Sequence, residues 1–262
     1  MIEAWLDAPV AAIFGGLTAL YAATSALCVW VSFGRPLAPA VNKFDGVVAP
    51  FFGGVALLFA LMAGFLASDI AERNRHATAA VQAEIAELRN VFTLSIASKP
   101  DMQAIRSAWA DYVKAVASDE WRTMTSGDSA PQVDRAFDAL LREVSDPDIA
   151  TTAGNPVQTA LLNAAMRVST ARSERLSLAS DSTSELKWAI VLILGVMTQA
   201  AIAVVHLQRR NAQIAALAVF SVAVVVALGL IALQEHPFSG SVRLMPEPYT
   251  ELLKLHRPNG NT

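Results

Sequence analysis

Four stretches of this chain carry no Asp, Glu, Lys or Arg: Ala8–Gly34, Gly46–Ser68, Trp188–Val205 and Asn211–Gln234. Each is about as long as the roughly 20 residues an α-helix needs to cross the hydrocarbon core of a bilayer. Lipid offers no hydrogen bonds to exposed peptide groups, so an uncharged run of this length is read as a spanning helix. Composition agrees: 54% of the 262 residues are apolar and 16% are charged, against about 25% charged in an ordinary soluble domain. A soluble enzyme is the least expected reading.

The N-terminal residues carry Glu3 and Asp7 and no Lys or Arg. They lack the basic start of a cleaved signal peptide, so the first apolar stretch is expected to stay as a span. Cys28 is the only cysteine. It excludes a disulfide within the chain and a thiolate metal site. His76, His206, His236 and His256 are far apart in sequence, so a metal site would need long-range convergence; no metal is expected. No H-E-x-x-H, P-loop, G-x-S-x-G or G-x-G-x-x-G occurs, so no enzymatic chemistry and no cofactor are expected. With a net charge of −3 and no basic patch, no nucleic-acid partner is expected either.

The charges lie between the spans, which divides the chain into residues 1–68 with two spans, 69–187, 188–233 with two more spans, and a tail, 234–262. The middle segment holds 13 basic and 17 acidic residues. The short loops are basic: Arg35 and Lys43 against Asp45 in 34–46, and Arg209 and Arg210 in 207–212. Short basic loops are retained on the cytoplasmic side. The expected topology therefore puts the N-terminus, the middle segment and the tail outside. The alternative, a cytoplasmic middle segment, draws on Arg73 and Arg75 beside the second span.

The middle segment reads as amphipathic helices. Val81, Ile85, Leu88 and Phe92 share one helical face, as do Met102, Ile105, Trp109, Val113 and Val116. Val133, Phe137, Leu140, Leu141 and Val144 make a third face, and Val157, Leu161, Ala164, Val168 and Leu176 a fourth. No Pro or Gly separates the second span from the first of these helices. A continuous helix from Val48 to about Ala97 would project roughly 45 Å past the membrane at 1.5 Å per residue. The fourth helix is expected to run unbroken into the span at Trp188. The fold class predicted is all-α: four transmembrane helices with an extramembrane four-helix bundle, formed partly by extensions of spans 2 and 3. An ion pair across that bundle is expected between Arg172 or Arg175 and Glu84 or Glu87, as a structural feature.

Small residues every fourth position, Ala56, Ala60, Gly64 and Ser68, let helices approach closely in lipid. That stripe serves contacts within one subunit or between subunits. Four spans enclose no wide pore, so conduction would use the axis of a homo-oligomer. Hydrophobic constrictions gate by dewetting, and Pro50, Phe51 and Phe52 at the start of span 2 are the candidates for lining or gating; the alternative has both rings against lipid or a neighbouring helix. Arg35, Lys43, Arg209 and Arg210 would ring the cytoplasmic mouth.

The stretch Ala232–Tyr249 contains Glu235, Pro237, Phe238 and Gly240, that is, an acid, one residue, then Pro-Phe-x-Gly. It resembles a bacterial four-span family labelled bestrophin-like, in which a span ends in this way and a short amphipathic segment follows. Glu235 stands where that family commonly has Asp. Gly64-Phe65 through Arg73, Glu84 to Arg89, Glu120-Trp121 and Arg172 with Arg175 fit the same resemblance, which covers nearly the whole chain. The resemblance implies kinship with pentameric anion channels and a place in the bacterial inner membrane. True bestrophins have a large cytoplasmic region, whereas the charge count places this bundle outside. Read physically, Pro237 ends a helix and Gly240 permits a turn, so the tail Pro246–Leu255 is expected to fold back onto the membrane or the bundle. The function expected is an oligomeric channel conducting inorganic ions, anions foremost, among membrane lipids and through a pore lined by span 2. The alternative is a non-conducting membrane sensor or scaffold whose bundle binds a ligand or partner.

Overall fold

The computed structural model describes residues 2–6, 8–34, 41, 49–98, 101–124, 130–181, 183–240 and 242–256. The described residues are helical almost throughout, with no strand among them. In chain order the helices are α1 (Ile2–Leu6), α2 (Val10–Phe33), α3 (Ala49–Ala97), α4 (Gln103–Ala115), α5 (Pro131–Val144), α6 (Pro147–Thr152), α7 (Asn155–Ser180), α8 (Glu185–Val205), α9 (Arg210–Ala232) and α10 (Glu247–His256). A π turn, Val116–Glu120, carries α4 on through Trp121–Thr123. Among the described residues four helices are long and apolar enough to cross a membrane: α2, α3, α8 and α9. The chain packs as two units. One holds Met1–Glu72, Ser182–His236 and Gly240–Val242; the other holds Arg73–Asp181, Pro237–Ser239 and Arg243–Thr262.

In the first unit, α2, α8 and α9 pack around Leu17, Tyr21, Trp188, Val191, Val224 and Leu228. Polar side chains pin this packing inside lipid, where they find no water. Gln199 of α8 lies within 3.0 Å of Tyr21 O and Ser25 Oγ of α2 and of Ser221 Oγ of α9. Thr24 donates to the same glutamine. Nearer the loop, Gln213 of α9 donates to Ser32 Oγ at 3.0 Å and to Ala203 O at 2.8 Å. Each amide ties three helices together. The first part of α3 joins through Leu66 and Ile70, an edge contact of Phe59 with Phe220 at 5.9 Å, and an ion pair of Asp69 with Lys187.

The second unit is a helical bundle. Every residue named above on the faces of α3 and α4 is buried, as are Val133, Phe137, Leu140 and Val144 of α5 and Leu161, Ala164 and Val168 of α7. The tail adds a further helix: Tyr249 and Leu252 of α10 are buried in the same core. It folds onto the bundle and not away from it.

The expected continuity of α3 is seen as a single helix of 49 residues. The expected continuity of the fourth bundle helix with the third span is not. Helix α7 stops at Ser180, Asp181 is extended, and α8 starts anew at Glu185 behind an N-cap from Ser184. The stretch Asp181-Ser-Thr-Ser supplies short polar side chains that compete with helical backbone bonding. Thr183 N–H donates to Glu235 and so leaves the helical ladder.

Candidate functional site

Among the described residues, helix α3 is the spanning helix least covered by the rest of the chain. Of its most apolar stretch 11% is buried, against 44% for α8. One face carries Phe59, Met62, Ala63, Leu66 and Ile70 toward the core of its unit. The other is open. Leu57, Leu61 and Phe65 follow one another at every fourth position and are 60%, 46% and 61% exposed. Beside them a Cβ on Gly53, Gly54 or Gly64 would meet nothing within 4 Å. Ala60 and Ser68 lie on the same open side. The face holds no charge from Gly53 to Ser68.

The residues at the start of α3 take different places. Pro50 lies in its first turn, where a missing N–H costs no hydrogen bond, and is exposed. It does not break the helix. Phe52 lines a groove of about 710 Å³ with Ile202, Val205, Val219 and Phe220, against α8 and α9. The side chain of Phe51 lies outside the described residues, as do Arg35 and Lys43 entirely. Arg209 and Arg210 are exposed where α8 gives way to α9.

Glu235 follows the end of α9 and is 1% exposed. Its two oxygens accept from Thr183 N at 2.7 Å and from Trp188 Nε1 at 3.1 Å. The acid thus joins the end of α9 to the start of α8. In the second unit, Phe238 meets Trp121 edge-on at 5.7 Å, and Trp121 meets Tyr249 at 5.5 Å. Leu244 N donates to Pro237 O at 2.8 Å, which closes the turn. Gly240 has φ +82°, a left-handed conformation that suits glycine.

Inside the bundle sits a cluster of charges. Arg175 is fully buried and donates to Glu84 at 2.8 Å and to Glu120 at 2.6 Å. Its guanidinium also lies 5.7 Å from the Trp121 ring and 5.8 Å from the Tyr249 ring. Glu84 accepts in addition from the hydroxyls of Tyr112 and Tyr249, each at 2.7 Å. Arg172 does not reach Glu84 or Glu87; it pairs with Glu120 and Asp134. Glu87 pairs instead with Arg167, at 2.8 Å, near the surface. The helical phase explains the difference, because Glu84 falls on the buried stripe of Val81 and Leu88 and Glu87 beside it.

Burial works against the Arg175 charge, and the carboxylates facing it outweigh that, so its guanidinium is held well above its usual range. Burial first, and then the Glu84 charge, pushes the Tyr112 and Tyr249 hydroxyls well above theirs. The raised values keep the proton on Arg175 and on both phenols at neutral pH, as suits a structural network. Tyr112 and Asp134 were not legible as members. Tyr112 has only its helical phase, three residues after Trp109, to give it away. Among the described residues no group of three or more His, Cys, Asp or Glu is placed to hold a metal.

The chain resembles solved bacterial membrane proteins. A point variant of a bacterial bestrophin homologue from Klebsiella pneumoniae superposes with a TM-score of 0.71 over 95% of this chain and 97% of that one, at 14% identity. Another crystal structure of the bacterial bestrophin homologue from Klebsiella pneumoniae gives 0.65 over 89% and 95%, at 13% identity. A substituted variant described as a membrane protein gives 0.67 over 93% and 96%, at 12% identity. No curated protein matches the chain. The family model described as a Bestrophin-like domain matches residues 19–249, and the chain belongs to the Bestrophin-like family.

Proposed function

We propose that this chain is one subunit of an oligomeric ion channel, conducting anions, whose pore runs along the symmetry axis and is lined by the open face of α3. One observation carries the reading: Leu57, Leu61 and Phe65 stand in line, exposed, on the spanning helix that its own chain covers least. Around an axis, each becomes a ring of apolar side chains, and such rings pass or block ions by wetting and drying. The glycines beside them allow neighbouring α3 helices to approach closely. Kinship with bestrophins supports conduction in preference to enzymatic chemistry. The absence of carboxylates along the open face supports anions, as do the exposed Arg209 and Arg210 at one end of the spans.

Pro50, Phe51 and Phe52 then lie at the mouth of the pore and the narrowest part lies below them. The basic short loops support a mouth on the cytoplasmic side of the bacterial inner membrane, ringed by Arg35, Lys43, Arg209 and Arg210, with the bundle outside. The test is chloride efflux from liposomes containing the purified protein. Efflux above that of empty liposomes, and above cation flux, is expected. No flux of any ion under a maintained gradient would leave the scaffold reading in its place.

A further inference from the structure

A second groove opens on the seam between α2 and α9, with no contribution from α3 or α8. Its volume is about 620 Å³, within the range of pockets that enclose small ligands. Its floor is made of small side chains, Ala22 and Ala26 on α2 and Ala218 on α9. Its rim is bulky and uncovered: Trp30 is 55% exposed and Ile214 is 43% exposed. From Ala22 to Gly34 the groove follows α2 for about 18 Å at 1.5 Å per residue. That is an acyl chain's length of hydrocarbon, parallel to the helices and at membrane depth.

The two ends of the groove differ in chemistry. At the end toward the middle of the spans Ser25 Oγ accepts from Gln199 Nε2 and shares a hydrogen bond with Ser221 Oγ, so its polarity is satisfied within the protein. At the loop end stands Arg210, the first residue of α9, exposed, with Arg209 before it. Trp30 near the same end has the amphipathic ring that concentrates at the level of lipid headgroups. An apolar slot that ends in a guanidinium and an indole at the interface matches one occupant in shape and charge.

We propose that this groove is a phospholipid site, which takes one acyl chain of an anionic lipid between α2 and α9 while Arg210 engages the phosphate. The lipid would act as a fitted part of the outer wall of the subunit, filling the seam of two helices where it opens toward the loop. It does not depend on whether the protein conducts.

The experiment is native mass spectrometry of the intact protein in detergent, supplied with phosphatidylglycerol, phosphatidylcholine or inorganic phosphate. Retention of phosphatidylglycerol over phosphatidylcholine is expected. Arg210→Gln should reduce that preference about fivefold, the weight of one basic residue near an anionic surface. Ala26→Phe, which fills the floor, should abolish retention of both lipids. Equal retention of the two lipids, or the same preference in Arg210→Gln, would overturn the proposal. So would displacement of lipid by inorganic phosphate, which would make this a free-anion site. Should Ala26→Phe fail to fold, brominated lipids in the unmodified chain decide. The fluorescence removed by Trp30→Phe should be quenched more by brominated phosphatidylglycerol than by brominated phosphatidylcholine, and equal quenching refutes the site.

Discussion

Arg175 Nε donates to Glu84 Oε2 at 2.8 Å across 91 residues of chain, and solvent reaches neither side chain. Burying two charges costs several kcal/mol each, and their attraction repays it only where the remaining hydrogen-bonding capacity is also met. Here it is met: two tyrosine hydroxyls fill the other positions on Glu84, and Glu120 takes the far nitrogen of Arg175. The pair ties α3 to α7, and Tyr249 brings α10 onto the same carboxylate.

Removing one partner of this cluster should be costly. Arg175→Met leaves Glu84 buried with an uncompensated charge, and Glu120 with Arg172 alone. A loss of about 3–5 kcal/mol is expected, the range for breaking a buried pair from one side. Denaturation of the purified protein in detergent, followed by far-ultraviolet circular dichroism, measures it. A midpoint equal to that of the parent would contradict the assignment. Arg167→Met, at the exposed pair with Glu87, should cost no more than about 1 kcal/mol.

Alkaline pH should weaken the bundle through its two buried phenols. Tyr112 and Tyr249 have values raised well above 10 by burial and by Glu84. A group raised in the folded state stabilises fully below its unfolded value, here about 10, and that contribution fades as pH climbs through the folded value. Stability should therefore decline above about pH 10. The decline should be shallower when both tyrosines are Phe. Denaturation midpoints taken from about pH 8 upward decide this, and an equally steep decline in the double variant would assign it elsewhere.

Glu235→Ala should destabilise the junction of α8 and α9. It strands two buried donors, Thr183 N and Trp188 Nε1, and each unsatisfied donor costs about 1–3 kcal/mol. Glu235→Gln keeps an acceptor and should lose less. Thermal unfolding in detergent orders the three proteins, and a Gln variant weaker than the Ala variant would refute the hydrogen-bond account.

Trimming the open face of α3 should change conduction. Leu61→Ala and Phe65→Ala each shorten a ring of the proposed constriction and should raise chloride efflux from liposomes severalfold. Val222→Ala, on an exposed site of α9 away from the Phe52 groove, should leave it unchanged. Equal flux in all of these would move the pore away from α3.

Orientation has its own measurement. Ser126→Cys, with Cys28 replaced by Ser, should be labelled by an impermeant maleimide from outside intact cells. Protection until the cells are opened would put the bundle in the cytoplasm and reverse the reading from the short basic loops.

Much of this fold was legible because its determinants are local. The periodic faces Val81–Phe92 and Met102–Val116 needed only the helical repeat to be read, and all of their named residues are buried. The break before α8 was legible only in part: the Ser184 N-cap is local, but Glu235 captures Thr183 N from 52 residues away. Of the pairs expected across the bundle, Arg175 with Glu84 is present, whereas Arg172 meets Glu120, whose helical phase no local pattern gives. The π turn Val116–Glu120 sets that phase.

By itself the sequence determined that this chain spans a bilayer four times and carries its charges in a helical bundle. Charge-free length and apolar periodicity act residue by residue against the solvent, whatever the rest of the chain does. Tertiary structure alone decided which polar groups satisfy one another: Glu84 with Arg175 and two tyrosines, Glu235 with Trp188, Gln199 with α2 and α9. It also decided which face of α3 remains uncovered. Both depend on where distant helices stop and how they are rotated, and no local pattern encodes a rotation.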